Sequence, residues 1–309
     1  MLAPSVERAA GPAHDFGVAA RDRYPSYLEF LADRTGIQVP LNRLGILQVA
    51  LSVNGIKGLK KSALATSRWL DARELAELEP ALSHGLGAVL NSDDGAVDNV
   101  ALFRALQRLA SATDRITTVQ EFVAAIGAGE DSATVKTTSN ASYSAGRVVL
   151  AAGAWAGQVS GAGFARAVTP ARGQLVSYSS TPLRRVAYGP SGYVVPRQDH
   201  TIGGSTMESV GFDATTTSDG IRKVRAASEE VCPSLSVSEK TSALAGLRPV
   251  TPDMLPMIGP DPERPSLIYA CGHSRNGVLM APLTGDIIAD LVTGTPLSHD
   301  LAQFRPDRF

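Results

Sequence analysis

The residues best placed to do chemistry lie in one short stretch, Cys271-Gly-His-Ser-Arg-Asn-Gly277, which runs on into Val278-Leu-Met-Ala-Pro-Leu-Thr-Gly285. Arg275 projects a guanidinium from it, and two glycines let the backbone come close to a neighbour. The apolar run Leu267 to Ala270 in front is long enough for one buried strand. Behind it Leu283, Ile287, Ile288, Leu291 and Val292 recur on one helical face. Pro282 is expected in the first turn of that helix and Gly294 at its C-terminal stop. Strand, glycine-rich turn and helix N-terminus together favour a bound group that is negative or becomes so. An ordinary βα turn with a surface arginine is the other reading of the same stretch.

Other candidate chemistry is weaker. In Trp69-Leu-Asp-Ala-Arg-Glu-Leu-Ala-Glu-Leu-Glu-Pro80 the carboxylates resemble an acid–base cluster. Asp71 followed by Glu74 is instead the spacing of a helix capping box, a solvated first turn. Gly161-Ala-Gly-Phe-Ala-Arg166 has two glycines of a dinucleotide fingerprint but no third and no strand directly before it. The two cysteines, Cys232 and Cys271, are too few for a disulfide framework or a zinc site and fit a reducing compartment.

The elements around these residues read as α/β, in an α+β mixture. His14 to Thr35 carries apolar residues at helical spacing, with Pro25 marking a break or kink and Gly36 the end. Gly45 to Leu51 reads as a strand, and Lys57 to Ser67 as a helix with a solvated basic face. Asp98 caps a helix over Val100 to Leu109. Ile116 to Ile126, Ala133 to Thr137 and Ser142 to Ala151 read as strands. The last is a buried strand entering the small-residue turn Ala151-Ala-Gly-Ala-Trp-Ala-Gly157. Gln174 to Ser179, Gly192 to Pro196 and Thr201 to Gly204 are strands, followed by a helix over Ile221 to Val231. The order suggests two domains with interleaved segments.

At 309 residues the chain can bury a substantial core. It is 44% hydrophobic and 19% charged with a net charge of −1, which gives no electrostatic case for nucleic acid or an anionic membrane. No apolar run approaches ~20 residues, so no membrane span is expected. Met1-Leu-Ala-Pro-Ser-Val-Glu-Arg lacks the order of a signal peptide, and the expected location is cytoplasmic.

Four stretches, taken in order, resemble the glycine oxidase branch of the D-amino-acid oxidase family of flavoproteins. They are Val148-Val-Leu-Ala-Ala-Gly-Ala-Trp; Gly192-Tyr-Val-Val-Pro-Arg with Gly203-Gly-Ser-Thr-Met-Glu208; Ala245-Gly-Leu-Arg-Pro-Val-Thr-Pro-Asp253 with Pro256-Met-Ile-Gly259; and Gly272-His-Ser-Arg-Asn-Gly277. Thr169-Pro-Ala-Arg-Gly-Gln174, the Trp69 to Pro80 segment and Met1-Leu-Ala-Pro fit as well. The resemblance is collinear over essentially the whole chain.

The resemblance implies a Rossmann-like FAD-binding domain (1–35, 93–165 and 245–309) interleaved with an antiparallel-sheet substrate domain (36–92 and 166–244). It implies non-covalent FAD, since covalent relatives carry a cysteine near the position of Arg248. It implies that Arg248 grips the substrate carboxylate, that Tyr193 borders the substrate, and that Arg275 and Met207 line its pocket. His273, Ser274, Arg275, Asn276, Gly277, Val278 and Leu279 would wrap the flavin, chiefly through backbone groups. Val123 and Gly153 would contact the cofactor elsewhere. No catalytic base and no metal are implied. Val123 reads equally well as plain core.

The implied activity is oxidative deamination of glycine, sarcosine or small D-amino acids. Hydride passes from Cα to flavin N5, an imine forms, and oxygen returns as hydrogen peroxide. The imine would supply thiamine thiazole synthesis. The expected partner is a small amino acid, and a homo-oligomer is left open.

The family opens with a strand, a G-x-G-x-x-G turn, a helix and a second strand, together roughly 30 or more residues, and the sequence as written starts after them. A start site placed too late, a fragment and a lost cofactor site are all open at this point. A chain without that unit is expected to be colourless, aggregation-prone and inactive. One alternative to an oxidase is therefore a flavin-free, non-catalytic remnant; another, which no motif separates from the oxidase, is a dehydrogenase that hands electrons to a quinone.

Overall fold

The computed structural model describes residues 1–6 and 11–309. Glu7 and Arg8, part of the N-terminal stretch read for a leader, lie outside the described residues. The fold is a mixture of helices and sheets. The largest sheet has eight strands, in the order Lys240–Val250, Thr169–Tyr178, Thr201–Gly204, Tyr193–Pro196, Val186–Tyr188, Ile46–Val49, Gly87–Asn91 and Arg68–Asp71. All neighbours run antiparallel except Val186–Tyr188 beside Ile46–Val49. One core lies against this sheet. Leu47, Leu70, Val176 and Val194 meet Leu75 and the helix Ser218–Val231 through Val224 and Val231.

A three-stranded sheet joins Met257–Pro260, Leu267–Cys271 and Val148–Leu150, the last two parallel. A separate antiparallel sheet holds Val123–Ala128, Ala133–Thr137 and Ser142–Ala145. The second large core is helical: Phe16, Tyr24, Leu28 and Leu31 pack on Leu102, Leu279, Leu283 and Ile287. Among the described residues no helix is long and apolar enough to cross a membrane. Both cysteines are buried and free.

Local sequence explains most element ends. The His14 to Thr35 pattern forms two helices, Pro12–Asp22 and Tyr24–Thr35, with the break at Arg23 and Pro25 in the first turn of the second. Gly36 closes it at φ 72°, a left-handed conformation that glycine adopts without strain. The capping box is present: Glu74 N donates to Asp71 Oδ1 at 2.8 Å and Asp71 N donates to Glu74 Oε2 at 2.9 Å. Those carboxylates are thereby committed to the helix Ala72–Leu78. Asp98 caps the helix Asn99–Ser111 through Val100 N and Ala101 N, both at 2.9 Å.

Four local expectations need correction. The helix placed at Lys57 to Ser67 spans Val53–Ser62, because Ser52 Oγ accepts from Gly55 N at 3.0 Å and starts it earlier. The strand placed from Ile116 begins only at Val123; Ile116 (50% exposed) and Phe122 (82%) find no cover, so this apolar run buries nothing. The strand placed at Ser142 to Ala151 is two, Ser142–Ala145 and Val148–Leu150, in different sheets, and the second is less buried than expected, Val149 facing out, because it is last in its sheet's order. Pro282 is not in the first turn.

The C-terminal helix starts at Gly277, so Pro282 falls in its interior. The carbonyl of Val278, four residues earlier, therefore loses its usual N–H partner. The hydroxyl of the fully buried Tyr24 donates to that carbonyl instead. Burial also pushes the Tyr24 phenol up in pKa, so it stays a donor. Tyr24→Phe should leave the carbonyl unsatisfied and lower stability by about 1–3 kcal/mol. A lower denaturant midpoint at constant m would show it, and an unchanged midpoint would contradict it.

The division into 1–35, 93–165 and 245–309 against 36–92 and 166–244 stands as a proposal. The strand Lys240–Val250 runs through the 244/245 position without interruption, paired with Thr169–Tyr178 along its length.

Candidate active site

The site is assembled on the central antiparallel strands. Thr169–Tyr178 and Lys240–Val250 pair with Ala171 opposite Arg248 and Gly173 opposite Gly246. The Arg248 side chain crosses directly over Gly173: a Cβ there would fall 2.0 Å from Nη1. Arg248 Nη1 donates to Thr206 O at 2.9 Å and Nη2 to Ser205 Oγ at 2.8 Å. Both acceptors are neutral, and among the described residues no carboxylate stands within ion-pair distance of this guanidinium. A planar fork of this kind can bind a carboxylate bidentately.

Tyr193 lies opposite Gly204 on one side and Tyr188 on the other. Its ring rests on the bare backbone of Gly204, where a Cβ would sit 2.6 Å from the phenol oxygen. The Tyr188 and Tyr193 rings are 5.4 Å apart. A cavity of roughly 230 Å³ brings together Tyr193, Met207, Arg248 and Arg275, with Tyr188 and Ser205 also in its wall.

The carboxylates nearby in sequence are engaged elsewhere. Buried Arg172 donates through Nε to Glu208 Oε2 at 2.8 Å and through Nη1 to Asp213 Oδ2 at 2.6 Å. Gln174 Nε2 donates to Glu208 Oε1 at 2.9 Å, and Thr217 N to Gln174 Oε1 at 2.7 Å. Burial pushes the Glu208 carboxyl up, but hydrogen bonds from Arg172, Thr206 and Gln174 outweigh it and hold the group below its usual range. This network also pins the segment carrying Ser205, Thr206 and Met207 onto the Arg172 strand, where Glu208 bridges Arg172.

The turn after Leu267–Cys271 is strained in a defined way. Gly272 has φ 73° and Ser274 φ 50°, an uncommon conformation for a residue with a side chain. Ser274 N donates to Pro249 O at 2.9 Å, which ties the turn to the Arg248 strand. The helix Gly277–Thr293 begins at Asn276 with no side-chain cap, so the first-turn N–H groups at Gly277, Val278 and Leu279 donate to no capping side chain among the described residues. His273 Nε2 lies 3.2 Å from Thr284 Oγ1. Burial pushes the His273 pKa down from the ordinary 6.5 to about 4, so the ring is neutral at pH 7.

The structure thus gathers Tyr193, Met207, Arg248 and Arg275 at one cavity and sets His273 to Leu279 in the adjoining turn and helix start. Two expected cofactor contacts lie elsewhere. Val123 is 42% exposed at the edge of the antiparallel sheet opposite Thr137, and Gly153 (φ 54°) opens a 3₁₀ turn after Val148–Leu150. Neither lines the cavity. Sequence reasoning missed Ser205, Thr206, Gly173 and the Arg172–Glu208 network. The signal was present in Thr169-Pro-Ala-Arg-Gly-Gln174 and Gly203-Gly-Ser-Thr-Met-Glu208, whose small residues make room for a guanidinium and a ring.

Several known proteins are similar to this chain. The chain is 33% identical over 321 residues to the bifunctional protein ThiO/ThiG of Synechocystis sp., covering all of this chain and 47% of that protein. It is 30% identical over 306 residues to the glycine oxidase of Bacillus licheniformis, with 96% of this chain and 82% of that one covered. The chain therefore spans about half the length of the bifunctional relative and most of the shorter one. The crystal structure of glycine oxidase from Geobacillus kaustophilus superposes with a TM-score of 0.90 at 28% identity, covering 100% of this chain and 86% of that one. Residues 1–291 match the family DAO, FAD dependent oxidoreductase. On that match and this fold, the chain belongs to the DAO family of FAD-dependent oxidoreductases.

Proposed function

We propose that the cavity binds a small amino acid by its carboxylate and that the enzyme oxidises the Cα–N bond of glycine, sarcosine or a small D-amino acid. The observation that carries this is Arg248: a guanidinium facing a cavity and fixed by two neutral acceptors, with no carboxylate within ion-pair distance among the described residues. A bidentate pair with the substrate carboxylate fixes the rest of a small molecule relative to the turn at His273 to Leu279. Tyr193 borders it on one side, Met207 on another, and Arg275 adds positive charge from the turn.

The residues present fit a flavin ring. The helix start without a side-chain cap offers N–H donors and a positive dipole end to its acceptor oxygens, and Gly272 keeps the backbone free of a side chain. Ser274, Arg275, Asn276, Gly277, Val278 and Leu279 would hold it there, with Val123 and Gly153 serving other parts of the cofactor. When bound there, FAD would supply the two-electron acceptor for converting the amine to an imine, with oxygen as the terminal oxidant and hydrogen peroxide as its product. This chain's own groups bind and orient. His273, neutral and hydrogen-bonded to Thr284, takes no proton, because an amine that enters neutral needs no base. Delivery of the imine to thiamine thiazole synthesis follows from the resemblance alone and belongs to the same proposal.

The test is peroxide release from glycine, sarcosine and D-alanine by the flavin-loaded protein, beside a parallel assay with a quinone acceptor. Flavin-loaded protein that oxidises none of the three would refute the reading. Transfer to quinone without peroxide would replace oxygen as the acceptor.

The pH profile gives a second check. kcat/KM should rise with pH through the ionisation of the substrate amine, and His273→Asn should keep that limb. Loss of the limb in the variant would make His273 an acid–base group. His273 also couples to stability. Its pKa is lower in the folded state than the ordinary 6.5, so the unfolded chain binds the extra proton first. Its contribution is complete above about 6.5 and is lost as pH falls towards about 4, so His273→Asn should flatten the acid limb of stability there.

A further inference from the structure

Away from the Arg248 cavity lies a larger one of roughly 700 Å³. The two share no wall residue, and the strand Tyr193–Pro196 has Tyr193 in the first and Pro196 in the second. Three arginines, Arg43, Arg184 and Arg197, line this second cavity. The segments that carry them are bonded to one another. Asn42 Nδ2 donates to Arg184 O at 2.8 Å, Leu41 pairs with Val97, and Arg197 Nη1 donates to Val97 O at 2.8 Å. The basic wall is therefore held in place by the fold itself.

Its charges are incompletely matched from within. Arg197 Nη2 donates to Asn99 Oδ1 at 3.1 Å and Arg184 Nη2 to Leu78 O at 3.0 Å, both neutral acceptors. Arg43 is exposed and makes no hydrogen bond or ion pair among the described residues. Asp98 is the carboxylate in the wall, and its Oδ1 is committed to Val100 N and Ala101 N. Glu79, close by, is taken by Arg185 Nη1 at 3.0 Å and Arg184 N at 3.2 Å. Burial pushes the Arg197 pKa down, and Asp98 offsets this only in part. A buried cation without a full counter-charge is costly, and an anion from outside relieves that cost. Leu41, Leu183 and Pro196 make the rest of the wall largely apolar.

We propose that this cavity is a second binding site, separate from the amino-acid cavity, for a small soluble organic phosphate with an apolar body. Guanidinium forks match phosphate oxygens bidentately, and three of them suit a dianion better than the single charge of a carboxylate. The volume lies in the range of small-molecule sites. A bare phosphate ion would leave most of it unfilled, whereas a ring or short chain on the phosphate replaces water against Leu41, Leu183 and Pro196. The proposal goes beyond the oxidase reading and stands whether or not Arg248 takes an amino acid.

The test titrates flavin-loaded protein with phenyl phosphate and with inorganic phosphate by calorimetry, at low salt and about pH 8, where a phosphate ester is a dianion. Phenyl phosphate should bind on the order of tenfold tighter than inorganic phosphate. Arg43→Gln and Arg184→Gln, both at exposed positions, should each weaken phenyl phosphate by about tenfold, whereas Arg248→Leu should leave it unchanged. No binding of phenyl phosphate, or an affinity unchanged in both glutamine variants, overturns the site. Loss of binding in Arg248→Leu would put the ester in the amino-acid cavity and overturns it equally. Phosphatidic-acid vesicles present the same headgroup on a surface. Co-sedimentation with them without binding of the free ester would overturn the assignment to a soluble ligand.

Discussion

In flavin-loaded protein, Arg248→Leu is expected to lower kcat/KM for glycine by at least about tenfold while flavin content stays unchanged. The change removes the fork and leaves Tyr193 and Arg275 to hold the substrate. A hydrogen bond between charged partners is worth ~1.5–3 kcal/mol, and a bidentate pair makes two. Arg248→Lys separates charge from shape. It keeps a cation at the site but loses the planar geometry, so it should fall between wild type and leucine. Steady-state kinetics with glycine and D-alanine, beside the visible spectrum, decide the matter. Wild-type values in the leucine variant would remove Arg248 from the site.

Gly173→Ala should produce nearly the same loss without touching the arginine. An added Cβ would lie 2.0 Å from Arg248 Nη1 and 2.4 Å from Cζ, so the guanidinium must leave its place over the strand. The clashing atoms are the far end of a long side chain, which moves more readily than backbone does. The cost should therefore appear in substrate binding, about tenfold or more, and little in thermal midpoint. Gly246→Ala is the matched control. It sits directly opposite on the partner strand, where a Cβ would meet nothing within 4 Å. An unaltered KM in Gly173→Ala would mean that the stacked position of Arg248 is irrelevant to binding.

Much of this was written in the sequence, and the boundary between what was and was not has physical causes. Caps are local, so Asp71 with Glu74, Asp98, Gly36 and Gly294 could be read from spacing alone. Chemistry that depends on pairing across strands is not local. Nothing near Arg248 in sequence says that Thr206 O and Ser205 Oγ will hold its guanidinium, or that Glu208 will be taken by Arg172. Those partners come together only when Thr169–Tyr178 lies between Lys240–Val250 and Thr201–Gly204. The Ile116 to Phe122 run misled for the opposite reason. Its composition suits a strand, but no neighbour covers it, and burial, not propensity, decides.

The bond from Tyr24 to the carbonyl that Pro282 leaves open turns two distant positions into one character under selection. A proline at 282 is tolerable only while a donor stands at 24, and a phenylalanine at 24 becomes harmless once 282 regains its N–H. Drift should therefore move the two together, and homologues with an ordinary residue at 282 should be free to lose the hydroxyl. In the laboratory the same dependence is a double-mutant cycle. Pro282→Ala should erase most of the cost of Tyr24→Phe, so that the two changes together cost far less than their sum.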